Sequence, residues 1–226
     1  MKSRQEIKAL AKEAFRAQRG TARLLVLVGF LLSFAVGFVA AIFMLIHPFF
    51  YFLAFLAGMA FLYVMIVNWD GEELKIFNRE TASVGALFSG LKVNFWRKLG
   101  GMLWMMLFIF LWSLIPIAGW VLGIIKGLAY SMTPYILASC PNVEAKDALK
   151  LSIRMTDGHK GKLFVLGLSF IGWMLLSSLT LGIVGIIFAF PYMFITYAGF
   201  FVELRDKAIA DGKITREELG MDAIEG

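Results

Sequence analysis

Three stretches of this chain, 24–69, 99–143 and 163–202, contain no Lys, Arg, Asp or Glu except Lys126. Nothing else in the sequence constrains the fold as strongly. A helix that crosses a bilayer uses about 20 apolar residues. Each stretch is about twice that length and carries turn-forming residues near its middle, at His47-Pro48, 116–119 and 180–182. The pattern predicts three helical hairpins, with spans near 24–46, 49–67, 99–115, 120–139, 163–179 and 183–202. Composition agrees: 60% of residues are hydrophobic and 17% charged, with a mean hydropathy of +0.78, against about 45–50% and about 25% in soluble domains. Backbone groups in hydrocarbon must be paired internally, which leaves helices or a closed barrel. The apolar runs are continuous rather than alternating, so helices are expected. The first of them reads as a retained span rather than a cleaved leader, because it is full length and a second follows at once.

Orientation follows from the basic residues. All of the 22 Lys and Arg except Lys126 fall before the first stretch, between the stretches or after the last. Basic span-flanking residues stay cytoplasmic, so both termini are expected on that side. The chain is thus read as an all-α polytopic membrane bundle of the cytoplasmic membrane, with one transmembrane domain over 1–204 and a short cytoplasmic tail over 205–226.

Each hairpin is preceded by a segment with helical periodicity. Ser3-x-x-Glu6 is a capping box, after which Ile7, Leu10, Ala11, Ala14 and Phe15 share one face while Lys8, Lys12 and Arg16 line another. Before the third hairpin, Asn142 is the expected cap, Ala145, Ala148, Leu149, Ser152 and Ile153 form a stripe, and Lys146, Lys150 and Arg154 lie beside it. Val84, Leu87, Phe88 and Leu91 give a weaker version before the second. Such basic amphipathic helices suit an anionic lipid surface; equally, they can serve only to fix topology. Shifted by 62 residues, Leu87 falls on Leu149, Lys98 on Lys160 and Tyr130 on Tyr192, which suggests that the second and third units are duplicates. The pI near 9.5 is accounted for by topology, and nucleic acid is not an expected partner.

Small residues let helices approach in lipid. Gly29, Ser33 and Gly37 recur at spacing four in the first span, and Gly119, Gly123 and Gly127 in the fourth, so both stripes are expected to pack helices within the chain, with a homodimer face as the alternative. Pro134 and Pro191 are expected to kink their helices. Lys126 is the only ion expected inside the hydrocarbon, and an intramembrane lysine is costly. It either holds an anionic headgroup or substrate, with Tyr130, Tyr192 and Tyr197 as candidate hydrogen-bond donors, or it snorkels to the outer headgroups. Trp112 and Trp120 fit an aromatic belt at the same edge.

Catalytic chemistry is not visible. The chain lacks a phosphate loop, a His-Glu-x-x-His motif, a nucleophile elbow and paired carboxylates, and its single cysteine, Cys140, reads as a packing residue. No cofactor or metal is expected. Asp70, Glu72 and Glu73 read as a solvated acidic group offsetting Lys75 and Arg79, and Thr215-x-x-Glu218 as a second capping box in the tail.

The runs Ser83-Val84-Gly85-Ala86-Leu87-Phe88-Ser89-Gly90, Ile124-Ile125-Lys126-Gly127-Leu128-Ala129-Tyr130-Ser131-Met132, Gly158-His159-Lys160-Gly161-Lys162-Leu163-Phe164 and Ser169-Phe170-Ile171-Gly172-Trp173 resemble bacterial integral membrane proteins grouped as domain of unknown function number 975. So does the run from Pro191-Tyr192 to Glu203-Leu204. The resemblance covers about residues 1–204. It implies a multi-span protein of a bacterial cell membrane and supplies no catalytic residues. The functional expectation is a non-enzymatic membrane-embedded adaptor or lipid-interacting protein, its partners anionic lipids or a protein at the cytoplasmic helices. The alternative is a small transporter or lipid translocator with a path near Lys126.

Overall fold

Ser3 opens α1 (Arg4–Ala17) in the computed structural model of the chain, which describes residues 1–116 and 119–221 but not the side chain of Trp120. Ser3 Oγ accepts from Glu6 N–H at 3.2 Å, and Glu6 Oε2 accepts from Ser3 N–H at 2.6 Å. This is the reciprocal cap read from the sequence. Ile7, Ala11, Ala14 and Phe15 are buried on one face of α1, where the helix meets α3 (Pro48–Phe77) and α11 (Phe190–Ala210). The apolar face of α1 is therefore turned to protein.

The described residues form helices and turns, with no strand. Six helical stretches are long and apolar enough to cross a membrane: Arg19–Ile46, Pro48–Phe77, Phe95–Ser113, Val121–Ser139, Lys160–Leu179 and Gly185–Ala210. The first three are the single helices α2 (Arg19–Ile46), α3 and α5 (Phe95–Ser113), with the short α4 (Val84–Ser89) between the last two. The next two are each broken once, into α6 (Gly119–Tyr130) and α7 (Thr133–Ser139), and into α9 (Lys160–Leu168) and α10 (Ile171–Leu179). The helix α8 (Ala145–Thr156) lies between them.

The breaks have different causes. Pro134 lies in the first turn of α7, where its missing N–H is tolerated, and Pro191 lies in the first turn of α11 after a π-helical turn at Gly185–Ala189. The break between α9 and α10 contains no proline. There Ser169 Oγ donates to Leu166 O and accepts from Lys8 Nζ, both at 2.6 Å. That partner comes from α1, so the sequence of 163–179 reads as unbroken.

The single residue His47 separates α2 from α3, and the two pack along each other. A Cβ on Gly29 would overlap the Trp69 ring, and one on Gly58 would overlap Val36. These contacts run in opposite directions along the two helices. The expected small-residue stripes carry this packing only in part: Gly29 makes its approach to Trp69, while several other members make no such contact, which is a correction to the sequence reading. Gly37, Gly123 and Gly127 have no neighbour within 4 Å of a Cβ, and Ser33 Oγ donates to Gly29 O of its own helix at 2.9 Å. Spacing four marks one face of a helix; whether another helix comes to that face is a tertiary matter. Close approaches also occur at positions outside the stripes, including Gly101 on Leu137 and Gly199 on Phe77. A Cβ on Gly119, a member of the second stripe, would lie 2.7 Å from the Ser113 carbonyl oxygen.

The core gathers at the charge-bearing end of the bundle. Phe15, Ile76, Leu87, Met102, Ile136, Leu137, Met155, Phe200, Phe201 and Leu204 are almost fully buried. At the other end Phe34, Leu45, Leu179 and Leu181 are 73%, 87%, 82% and 93% exposed, so helices there meet few neighbours. Two further expectations change. Glu144, without a side-chain cap, precedes α8 in place of Asn142. The Thr215–Glu218 box forms, with Glu218 N–H donating to Thr215 Oγ1 at 3.2 Å, but it opens only the 3₁₀ turn Glu217–Leu219. The turn at 117–118 and tail residues 222–226 lie outside the described residues.

Candidate functional site

The helix α3 does not stop at 67, where the charges begin. It continues to Phe77, giving 30 residues, or about 45 Å at 1.5 Å per residue. Hydrocarbon needs about 30 Å of that. The last turns therefore carry polar residues in rigid register at the charge-bearing end.

On one side of these turns, Asn68, Glu72 and Lys75 fall at helical spacing toward α4 and α5. Asn68 Nδ2 donates to Leu87 O at 2.8 Å, which fixes the amide, and Asn68 Oδ1 accepts from Lys98 Nζ at 2.6 Å. Lys98 Nζ also donates to Gly90 O at 3.0 Å. A Cβ on Gly90 would lie 2.7 Å from Asn68 Oδ1, so only glycine admits this approach. Lys98 is 7% exposed, and it makes no ion pair among the described residues. Glu72 spends both oxygens, on Lys75 Nζ at 2.7 Å and on Ser83 N–H at 2.8 Å. A cavity of about 500 Å³ opens between these groups, with Glu80 and Arg205 also on its wall. Arg205 is paired with Asp206 at 2.8 Å.

Next to Lys98, Arg97 solves a different problem. Its guanidinium donates to Leu137 O, Cys140 O and Val143 O at 2.5, 3.2 and 2.7 Å. A cation there satisfies carbonyls left over at the C-terminus of α7 and meets the negative end of its dipole. The Cys140 thiol is buried, which pushes its pKa up against the pull of Ser139, Arg205 and Arg97. That suits a packing residue.

On the opposite side of α3, Glu73 is buried and accepts from Trp69 Nε1–H with one oxygen, while Oε2 has no hydrogen-bond partner among the described residues. The sequence reading of a solvated acidic cluster is corrected here. Glu72 and Glu73 are 4% and 3% exposed, and Arg79 pairs with Glu13 of α1 instead. Residues at i and i+1 point to different sides of a helix, which sets Glu72 apart, whereas Asp70, three residues before Glu73, falls on the same side as Glu73. No cluster of three or more His, Cys, Asp or Glu suited to a metal occurs among the described residues.

The four ligand candidates separate into two places. Lys126 Nζ lies 4.3 Å above the Trp112 ring, and Trp112 Nε1–H donates to Tyr130 OH at 3.0 Å. The ammonium thus rests on an aromatic face, an attractive arrangement without a carboxylate. Tyr192 packs on Phe170 and Phe188, and Tyr197 on Phe170. No hydrogen bond or ring contact joins the two sets among the described residues. The side chain of Trp120, expected in the aromatic belt with Trp112, lies outside the described residues.

The basic helices also differ. On α8, Lys146 pairs with Glu144 at 3.3 Å, Lys150 with Asp147 at 2.8 Å, and Arg154 with Glu218. On α1, Lys8 lies 4.1 Å above the Phe170 ring, and burial, with Arg4 nearby, lowers its pKa. Lys12 and Arg16 are exposed and form no ion pair among the described residues.

Sequence reasoning missed the Asn68–Lys98–Gly90 set. Lys98 reads as one more span-flanking cation, because the uncharged stretch starts at the next residue. Its one signal is local: α5 begins at Phe95, which puts Lys98 a full turn inside the helix.

The family model described as protein of unknown function (DUF975) matches residues 1–127 and 120–208. No curated protein and no solved structure matches the chain.

Proposed function

We propose that this chain, which belongs to the DUF975 family of proteins of unknown function, is a non-enzymatic binding protein of a bacterial cell membrane that engages anionic lipid with its charge-bearing end. Its six apolar helices cross as three hairpins, and the basic ends, with both termini, face the cytoplasm. The distribution of 21 cations on one side supports that threading, counted as the 22 Lys and Arg less Lys126.

One observation carries the lipid reading. The α8 cations each form an ion pair, whereas Lys12 and Arg16 of α1 are exposed and form none among the described residues, the Glu13 between them being paired with Arg79. Because the apolar face of α1 is buried against α3 and α11, the helix is held by protein and offers its polar face, on which Lys12 and Arg16 are exposed. It therefore acts as a fixed electrostatic plate rather than as an inserting amphipathic helix. The adaptor alternative would use the same plate for an acidic protein. A transport path past Lys126 has less support, since the contact with Trp112 fits an anchoring cation.

The test is lipid retention by the full-length protein purified in mild detergent. Lys12→Gln with Arg16→Gln is expected to reduce retained phosphatidylglycerol several-fold relative to phosphatidylethanolamine. Lys146→Gln with Lys150→Gln is expected to leave the ratio near that of the original chain. Equal retention in both double variants would overturn the reading.

A further inference from the structure

We propose that the cavity beside Lys98 is a binding site for a phosphate group, as a phospholipid headgroup or as the free ion. The proposal rests on the anionic-lipid reading above and gives it a site.

Lys98 carries a charge that no described residue neutralises in an ion pair. Lys98 is 7% exposed, and a buried ammonium needs an anion or a full set of strong acceptors to offset lost hydration. It has three protons to donate. Two are taken by neutral oxygens, Asn68 Oδ1 and Gly90 O, and the third has no acceptor among the described residues. The position is built rather than incidental. Asn68 is oriented by its bond to Leu87 O, and Gly90 supplies its carbonyl at a distance that a Cβ would forbid.

The space next to this ammonium matches an anion with attached groups. The cavity measures about 500 Å³, many times the roughly 30 Å³ share of a water molecule. Lys75 and Arg205 share its wall. The acidic groups close to it are already engaged: Glu72 by Lys75 and the Ser83 amide, and Asp206 by Arg205. Glu80, on the wall, is exposed. An entering phosphate would take the free proton of Lys98 in a charge-assisted bond and draw Arg205 from its pair with Asp206. The cavity is walled by α3, α4, α5, α7 and α11 at the end where basic residues collect, which is the level of lipid phosphates in the proposed threading.

The experiment uses delipidated full-length protein in detergent, titrated with dihexanoyl phosphatidic acid, inorganic phosphate and dihexanoyl phosphatidylcholine, with binding read by calorimetry. Phosphatidic acid is expected to bind, with Lys98→Met weakening it at least tenfold and Arg205→Gln several-fold. Inorganic phosphate binding as tightly identifies the free ion as the ligand; phosphate binding only weakly identifies the headgroup. Circular dichroism establishes that each variant is folded. If Lys98→Met does not fold, Arg205→Gln alone decides, and unchanged affinity in it overturns the proposal. So does the absence of phosphatidic acid or phosphate binding to the original chain, or equal affinity in folded Lys98→Met. Loss of this binding with phosphatidylglycerol retention intact removes the site and leaves the lipid reading standing. Charge-independent retention with Lys98-dependent phosphate binding does the reverse.

Discussion

The two ends of the bundle are built by different solvents. At the charge-bearing end, α1, α8 and the polar-flanked turns of α3, α5, α7 and α11 bury their apolar faces against one another as a water-soluble domain does. At the apolar end, α2 and α10 leave Phe34, Leu45 and Leu179 mostly exposed. The hydrophobic effect drives burial only where water is the alternative. In lipid an exposed Phe costs nothing, so burial of apolar surface does not draw helices together there. One chain thus has a tightly packed layer and a loosely packed layer on the same helices.

The largest expected difference between the layers lies in side-chain truncation. Phe200→Ala, in the packed layer, is expected to cost about 3–5 kcal/mol. Phe34→Ala, 73% exposed, is expected to change stability by less than about 0.5 kcal/mol. Reversible unfolding in bicelles measures both, and equal costs would break the comparison.

Glycines sharpen it further. Gly199→Ala forces a methyl into the Phe77 ring and is expected to cost about 1–3 kcal/mol by overpacking. Gly37→Ala meets open space and is expected to gain about 0.5–1 kcal/mol from helix propensity. The same unfolding assay compares them; a destabilising Gly37→Ala would reveal a neighbour at that face.

The smallest effect is a pH dependence confined to the packed layer. Burial lowers the His159 pKa; Lys162, Lys213 and Lys207 add to this, and Asp211 opposes it. The folded imidazole is then the weaker base, so the unfolded chain takes up the proton first. Its stabilising contribution is complete above the ordinary histidine range, near about 6.5, and falls as pH drops through that range toward the folded value. Melting temperature is expected to decline slightly between pH 7 and pH 5, and His159→Gln is expected to flatten the slope. An identical slope in the variant would assign the dependence to other groups.

What could be read in advance varied with the range of the interaction. The Ser3–Glu6 cap and the apolar face of α1 were legible because partners three or four residues apart meet on any helix. Pro134 and Pro191 were read as kinks, and the structure places each in the first turn of a helix. Legibility ended where the partner was distant in sequence. Lys8 with Ser169, Arg97 with the end of α7, and Lys98 with Asn68 and Gly90 all join different helices. The identical basic patterns of α1 and α8 also hid a difference, since the acids beside α8 include one from the tail, Glu218.

The sequence alone determined that the described chain is helical and apolar enough for six membrane crossings, because charge and unpaired backbone are costly in hydrocarbon over such lengths. Tertiary structure decided which glycines touch a neighbour, which cations are neutralised, and that a lysine at the edge of an apolar run lies buried over a cavity. Those outcomes depend on which helix faces stand opposite each other, and no local period encodes that.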